Sequence, residues 1–282
     1  MTDDQQPSQH PTGPDRRTAL VSLAAVLGTA ACAPAASKSR SAAPATSTSR
    51  PTTTSTTRPS PHASASAANG PAPQPAIART SGPDIVHGPR TRQEVALTFH
   101  GAGDPAIARQ LLQVFKTHQA RVTVFAVGQW LQAEPHMAAE VLAGGHELGN
   151  HTWSHQQMKQ LTADQARTEA VRGAEALRAA TGTAGWWFRP SGTLHSTATI
   201  RAAAEAAGYH RCVSYDVDPE DFRDPGAALV RSRTLAAVQP GSIVSLHFGH
   251  EGTLSALPAI FTGLKAKGLE PVTLSRLLRD GA

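Results

Sequence analysis

Cysteine is scarce in this chain, and its scarcity excludes a fold held together by disulfide bonds. The 282 residues include two cysteines, Cys32 and Cys212. Because Cys32 falls in a leader segment, Cys212 has no partner within the same domain, and its apolar neighbours favour a small buried side chain. Nucleotide-binding motifs are also missing, since neither G-x-G-x-x-G nor a phosphate-binding loop follows a strand-like run.

Aromatic side chains are absent between Cys32 and Ile85, a stretch made mainly of Ala, Ser, Thr, Pro and Arg. A segment with so few apolar side chains cannot bury enough surface to offset the entropy of ordering it. We therefore predict a disordered linker over residues 33–83. Residues 84–282 have the length of one ordinary domain with a substantial core.

Strong charge is missing from the predicted domain. The chain carries a net charge of +5, but residues 1–80 hold seven Lys or Arg and three Asp or Glu, which leaves only +1 for residues 81–282. Such a balance lacks the basic surface that nucleic-acid binding requires. We therefore expect no nucleic-acid partner, and we expect the domain to be a monomer.

The first 32 residues have the pattern of an export signal. Arg16 and Arg17 form a twin-arginine pair, and the apolar run over residues 19–31 is too short to span a bilayer. The pair predicts export by the Tat route. Cys32 stands where bacterial lipoprotein signals place the lipidated cysteine, so two outcomes stay open: a lipoprotein anchored through Cys32, or cleavage nearby and secretion. Both place the domain outside the cytoplasm.

Strand-like and helical runs alternate from residue 94 onwards, which predicts an α/β fold with parallel strands. Asp104 followed by Pro105 predicts a capped helix start, and residues 162–165 form a capping box. About seven βα units favour a closed barrel. The strand-like runs are 94–100, 121–128, 146–150, 186–190, 211–217, 241–248 and 271–274, and the helical runs are 104–118, 129–143, 162–180, 196–207, 225–238 and 254–267.

Polar side chains collect where these strands end. Since the carboxyl ends of parallel strands meet on one face of such a fold, these residues are the candidates for chemistry. They are His100, Asp104, Asn150, His151, His155, Arg189, Asp216, Asp218, Asp221 and His247.

His151 and His155 have the spacing of a metal-binding pair. Four-residue spacing on one helical turn places both imidazoles on the same face, where they can hold one divalent ion. The spacing alone is also compatible with two solvated surface histidines.

Four segments resemble the motifs of one family, the NodB-like polysaccharide deacetylases of carbohydrate esterase family four. The similarity extends over roughly residues 94–278. The segments are GGHELGNHTWSH at 144–155, FRP at 188–190, YDVDPEDF at 215–222 and IVSLH at 243–247.

The resemblance implies a distorted (β/α)7 barrel that removes acetyl groups from a saccharide. The reaction would use one divalent metal ion; we expect zinc, with cobalt, nickel or manganese as alternatives. The acetylated glycan belongs to the cell envelope or the extracellular space, such as peptidoglycan or a chitin-like oligosaccharide. By position, the resemblance gives these roles: His151 and His155 bind the metal, His247 is the general acid, Asp221 orients it, Arg189 orients the base, and a backbone N–H near Gly192 stabilises the oxyanion. We further predict that Trp153, which lies between the two ligands in sequence, and Tyr215 contact the sugar.

The first motif departs from the family pattern, which is usually Thr-Phe-Asp-Asp-Gly. This chain has TFHGAGDP at 98–105, so both aspartates are missing from their expected places. His100 stands at the position of the base and serves either as that base or as a third ligand. Asp104 either reaches the metal or only caps the next helix. Two alternative functions follow: a glycan-binding pseudoenzyme on the same barrel, or an amidase acting on a non-sugar amide.

Overall fold

A computed structural model describes residues 82–279. The predicted signal peptide with Cys32, and nearly all of the predicted linker, lie outside these residues and stay predictions. The described strands and helices, in chain order, are β1 Asp84–Ile85, β2 Glu94–Gly101, α1 Pro105–Thr117, β3 Thr123–Ala126, α2 Gly128–Ala133, α3 Met137–Ala143, β4 Glu147–Asn150, α4 Ala163–Thr181, α5 Ala198–Ala206, β5 Cys212–Val213, α6 Ala227–Ala237, β6 Ile243–His247, α7 Glu251–Ala266, β7 Glu270–Pro271 and α8 Leu274–Leu278.

The named strands pair in parallel, and β2 lies at the centre. The larger sheet has the order β4–β3–β2–β6, and β7 also pairs with β2. The smaller sheet consists of β1 and β5. Phe188 makes one parallel bridge to Asn150 of β4 and another to Cys212 of β5, and so joins the two strands. A further bridge, between Val217 and Val244, joins the segment after β5 to β6. The predicted α/β fold is confirmed, and its two sheets are joined in a distorted, barrel-like arrangement by single bridges rather than by continuous ladders.

Alternation along β2 and β6 separates the packed core from the site. Val95, Leu97 and Phe99 of β2 belong to the large hydrophobic cluster that includes the buried face of α1. Successive strand residues point to opposite faces, so His100 points the other way, towards the barrel interior. The register places His100 beside His247 of β6. Because the apolar side chains on one face of β2 and β6 are buried in the core, both imidazoles lie on the opposite face and point into the barrel interior.

Two helix starts occur where the sequence predicts them. The Asp104 side chain accepts a hydrogen bond from Ala106 N, with Pro105 in the first turn of α1. Thr162 and Gln165 form the reciprocal capping box of α4. Both caps satisfy backbone N–H groups that have no partner inside a helix.

Three element predictions were wrong in part. The predicted helix over 129–143 is two helices, α2 and α3, because Pro135 offers no backbone N–H between them. The predicted strand over 271–274 gives way to α8, which Thr273 caps with its side chain. In the predicted strand over 186–190, only Phe188 makes strand-like bridges. Within residues 82–279, no helix has both the length and the apolar character needed to cross a bilayer.

Candidate functional site

A cavity of about 340 Å³ opens at the carboxyl ends of the strands. Its wall brings together side chains from β2, from the end of β6 and from three loops that follow strands, as parallel-strand topology requires. The lining residues are His100, His155, Gln157, Arg189, Pro190, Gly192, Thr193, Leu194, Tyr215, Asp218, Phe222 and His247.

Three histidines converge beside this cavity. The ring centroid of His100 lies 4.2 Å from that of His151 and 6.3 Å from that of His155, and the His151 and His155 centroids are 4.8 Å apart. One ligand nitrogen from each of the three lies within 4.8 Å of the other two. Three imidazoles at this spacing can share one divalent ion of the zinc type.

The two histidines of the H-x-x-x-H segment do not lie on a helix, which corrects the sequence prediction. Thr152 and His155 have left-handed backbone conformations, with φ of 70° and 58°, which no helix contains. The Asn150 side chain accepts a hydrogen bond from Thr152 N at 2.8 Å and fixes the turn. The rings still face each other, but tertiary contacts hold them rather than helical periodicity.

Glu169 of α4 supports the middle of this loop, a role that the sequence analysis did not predict. Its carboxylate is buried and accepts hydrogen bonds from the backbone N–H and the hydroxyl of Ser154 and from the Gln156 side chain. A carboxylate 15 residues away in sequence carries no local signal, so only the fold reveals it. Glu169 is therefore a support for the loop between His151 and His155.

The hydrogen bonding of His151 leaves one ring nitrogen ready for a ligand bond. Its Nδ1 lies 2.8 Å from the carbonyl oxygen of Arg189, which can only accept, so Nδ1 carries the proton. Its Nε2 is therefore an acceptor, and it is buried without a hydrogen-bond partner. Burial, and then the charge of His155, lower the pKa of His151 well below its ordinary value. His151 is thus a neutral imidazole, the form that binds metals.

His100 is only partly exposed, and its imidazole is neutral as well. Burial is the main cause that lowers its pKa, and the neighbouring His151 and His247 lower it further. Its Nδ1 is a second buried ring nitrogen without a hydrogen-bond partner. Buried polar atoms are nearly always satisfied in folded proteins, so two unsatisfied imidazole nitrogens in one cluster fit a site built for a metal ion.

Arg189 is a buried cation behind the histidines. It donates to Thr98 Oγ1 at 2.8 Å and to the carbonyls of Val213 and Ser214 at 3.3 and 3.0 Å. A longer contact of 3.4 Å joins its Nη1 to Nε2 of His100. Burial lowers its pKa, and Tyr215 and Asp218 act in the opposite direction. A guanidinium stays charged in proteins, so Arg189 supplies a fixed positive charge below the cavity.

His247 is oriented by Asp221, as the resemblance implies. The two side chains meet at 2.7 Å through Nδ1 and Oδ1, and Asp221 Oδ2 accepts from His247 N at 2.8 Å and from Thr253 Oγ1 at 2.6 Å. Asp221 is fully buried, so these three hydrogen bonds fix its position. Nε2 of His247 is left free for a ligand.

Asp104 does not reach the histidine cluster, which corrects its prediction as a third metal ligand. Its carboxylate accepts from Ala106 N at 2.7 Å and caps α1. The metal-binding group that the structure forms within residues 82–279 contains His100 in its place. The alternative of a helix cap, which the Asp-Pro sequence also predicted, is the one observed.

Of the three residues predicted to bind the substrate, two line the cavity and one does not. Tyr215 and Gly192 line the cavity. Trp153 does not; its ring packs against Arg172, whose guanidinium carbon lies 4.0 Å from the ring centroid, and it lines a separate groove beside α4. The prediction of Trp153 as a stacking platform in this cavity is therefore wrong, because the left-handed turn at Thr152 directs it towards the helices.

The loop that forms one wall of the cavity is tied to β1. The Asp84 carboxylate accepts hydrogen bonds from the backbone N–H of Ser196, at 2.9 Å, and from its hydroxyl. Ser214 Oγ donates to the carbonyl of Leu194 at 2.6 Å. These bonds fix the wall against the smaller sheet.

Comparison with known proteins gives one consistent result. Residues 87–212 match the polysaccharide deacetylase family. A peptidoglycan-N-acetylglucosamine deacetylase of Bacillus cereus is 31% identical over 201 residues, which cover 68% of this chain and 91% of that protein. Among solved structures, a peptidoglycan N-acetylglucosamine deacetylase is 28% identical, with a TM-score of 0.64 over 69% of this chain and 92% of that one. A pseudoenzyme of the CE4 family from Bacillus anthracis is 26% identical, with a TM-score of 0.66 over 71% and 70%.

Proposed function

The chain belongs to the polysaccharide deacetylase family, and from that membership we propose that it hydrolyses the acetamido C–N bond of N-acetyl sugars in an envelope or extracellular glycan. The observation that carries the proposal is the convergence of three histidines beside one cavity, with the His247–Asp221 pair opposite them. Peptidoglycan and chitin-like oligosaccharides are the substrates we propose. The location outside the cytoplasm rests on the predicted export signal.

We assign the metal to His100, His151 and His155. A divalent ion there would polarise the acetyl carbonyl and favour deprotonation of the attacking water. Zinc suits three imidazole ligands best, and cobalt, nickel or manganese are the alternatives. The sequence left His100 open as base or ligand, and its position in the convergent group favours the ligand.

His247 is the general acid of the proposed reaction. It gives a proton to the sugar nitrogen as the C–N bond breaks, so that a neutral amine leaves. Because Nδ1 is bonded to Asp221, the proton that His247 gives is the one on Nε2. Asp221 stabilises the charged ring by the same contact that orients it.

Asp218 is the base we propose if His100 binds the metal. It is the only carboxylate among the residues that line the cavity in the described part of the chain. Its charge raises the pKa of Tyr215 and opposes the effect of burial on the pKa of Arg189, and all three residues line the same cavity. The backbone N–H of Glu220 donates to Oδ1 of Asp218 at 2.8 Å, and this carboxylate would take the proton of the attacking water.

Acetate release tests the proposal directly. The full-length protein with added zinc or cobalt is incubated with chitooligosaccharides and with peptidoglycan fragments, beside His151→Ala. We expect metal-dependent release by the wild type and a loss of at least about a hundredfold in the variant. Stoichiometric metal with no release from any acetylated sugar would instead support the glycan-binding pseudoenzyme, for which the CE4 relative is a precedent. Release from small amides but not from sugars would support the amidase.

A further inference from the structure

His250 and Asp224 form a second histidine–carboxylate pair beside His247 and Asp221. Nδ1 of His250 lies 2.9 Å from Oδ1 of Asp224, and the equivalent distance in the first pair is 2.7 Å. In both pairs the histidine follows its aspartate by 26 residues. In both pairs the aspartate therefore lies in or just after the short helical turn at residues 221–223, and the histidine lies at or just after the end of β6.

The two pairs differ in their exposure to solvent. The side chains of Asp221 and His247 are 0% and 18% exposed, whereas those of His250 and Asp224 are 26% and 68% exposed. The centroids of the two imidazoles are 5.9 Å apart, and the rings are nearly perpendicular. The second pair thus connects the buried acid to the surface without lining the cavity.

Asp224, the more exposed of the two aspartates, has an unusual backbone conformation. Asp224 follows the helical turn with φ of 51° and ψ of 48°, in the left-handed region that side chains other than glycine rarely adopt. Asp and Asn tolerate this region better than other side chains do. The carboxylate is therefore placed by the turn itself, and an asparagine fits the same backbone.

The proposed reaction creates a need that this second pair meets. In each turnover His247 loses one proton to the leaving amine, while the base gains one from water and returns it to solvent. His247 must then regain one proton before the next turnover. His100, which adjoins it at 4.2 Å between centroids, is a metal ligand in the proposed site and therefore is not the source of that proton. A glycan bound in the cavity would cover His247 on the side that lines it.

We infer that His250, held by Asp224, relays protons from solvent to Nε2 of His247, an inference that rests on the proposed function. One water molecule can span the separation between the two rings. The N–H bond of His250 breaks as the new N–H bond forms on His247 through that water, and His250 then takes a proton from solvent. The titratable groups placed against His250 are Asp224 and His247, and Glu251 follows it at the start of α7.

Small-molecule rescue separates a relay from a structural role. In the zinc-loaded full-length protein at low buffer concentration, we expect His250→Gln to lower kcat about tenfold, with little change in KM. Added imidazole buffer should restore kcat to within about twofold, because imidazolium that diffuses in can give His247 the missing proton but cannot repair a fold. His210→Gln, at an exposed histidine, is the matched control. Asp224→Asn, which suits the left-handed backbone, should give a smaller loss with the same rescue.

Exchange of the His247 ring N–H with water, followed by NMR, gives a readout that needs no substrate. The relay predicts slower exchange in His250→Gln than in the wild type at the same pH. If the wild type releases acetate and neither kcat nor exchange changes in the variant, or if imidazole restores nothing, the relay is wrong and the proposed function stands. If no protein releases acetate but exchange still slows, the proposed function is wrong and the relay stands.

Discussion

Glu169 holds Ser154 by two hydrogen bonds, at 2.9 Å to its backbone N–H and 2.6 Å to its hydroxyl. Ser154 lies in the loop between His151 and His155, so the carboxylate on α4 sets the distance between two proposed ligands. Outer partners of this kind fix ligand orientation in metal sites.

We expect Glu169→Ala to weaken zinc binding by about 10- to 100-fold, because the loop at residues 151–157 loses the acceptor that orders it. Isothermal titration of the metal-free protein measures the change. Glu175→Ala, at an exposed position on the same helix, is the control and should bind zinc normally. Equal zinc affinity in the two variants would show that Glu169 does not support the metal-binding loop.

His100→Ala distinguishes the two roles of His100. As a ligand, its loss should reduce zinc affinity by more than about a hundredfold and abolish acetate release. As a base alone, the variant would lose turnover but keep stoichiometric metal. Metal content after dialysis, measured beside turnover, decides between them, with His118→Ala as a control at a histidine that packs on Phe261.

Asp221→Asn tests the orientation of His247. An amide can donate where the carboxylate accepts, which favours the wrong tautomer of the imidazole while keeping the side-chain shape. We expect kcat to fall by about 10²- to 10⁴-fold with little change in KM or in bound zinc. A loss confined to KM would mean that Asp221 serves substrate binding instead.

Asp218→Asn tests the proposed base. The variant should keep its zinc and lose about 10²-fold or more in kcat, since the amide cannot accept the proton of water. Asp164→Asn, in the first turn of α4, is the control. Normal turnover in Asp218→Asn, together with metal retention in His100→Ala, would return the role of base to His100.

The stability of the fold should depend on pH through His146, away from the cavity. Burial, and then the charge of Arg121, lower the pKa of His146 to about 4, against 6.5 in an unfolded chain. Because the unfolded chain takes up this proton first, the free energy of unfolding should fall as pH drops from about 6.5 to about 4, by at most about 3 kcal/mol. Below that range both states are protonated and the loss is complete.

His146→Asn isolates this contribution, since its side-chain oxygen can accept from Val122 N as Nδ1 does at 3.4 Å. Urea unfolding of the metal-free protein at several pH values should show a shallower decline in the variant. Parallel curves for the two proteins would assign the pH dependence to other groups, among them the buried His100 and His151.

The sequence predicted those features of the fold and site that follow from the periodicity of apolar residues and from the positions of strand ends. Alternation along β2 predicts that His100 lies on the inner face, and the parallel order of the strands brings it beside His151 and His247. The caps at Asp104 and Thr162 are local features that need only neighbours along the chain.

Other features of the site depend on contacts between distant segments, and there the sequence misled. A four-residue spacing suits a helix, but Gly128 N bonds to the carbonyl of Thr152 at 2.9 Å and stabilises a left-handed turn instead. The same turn points Trp153 away from the cavity. The support from Glu169 and the pairing of His250 with Asp224 join residues that no local pattern relates.

Asp84 joins the entry of the chain into the domain to the wall of the cavity. Since its carboxylate holds Ser196, tension or cleavage that displaces β1 would release the loop that carries Gly192 and Leu194. If the predicted attachment through Cys32 holds, a pull on the preceding segment would act on the wall of the cavity through the hydrogen bonds between Asp84 and Ser196.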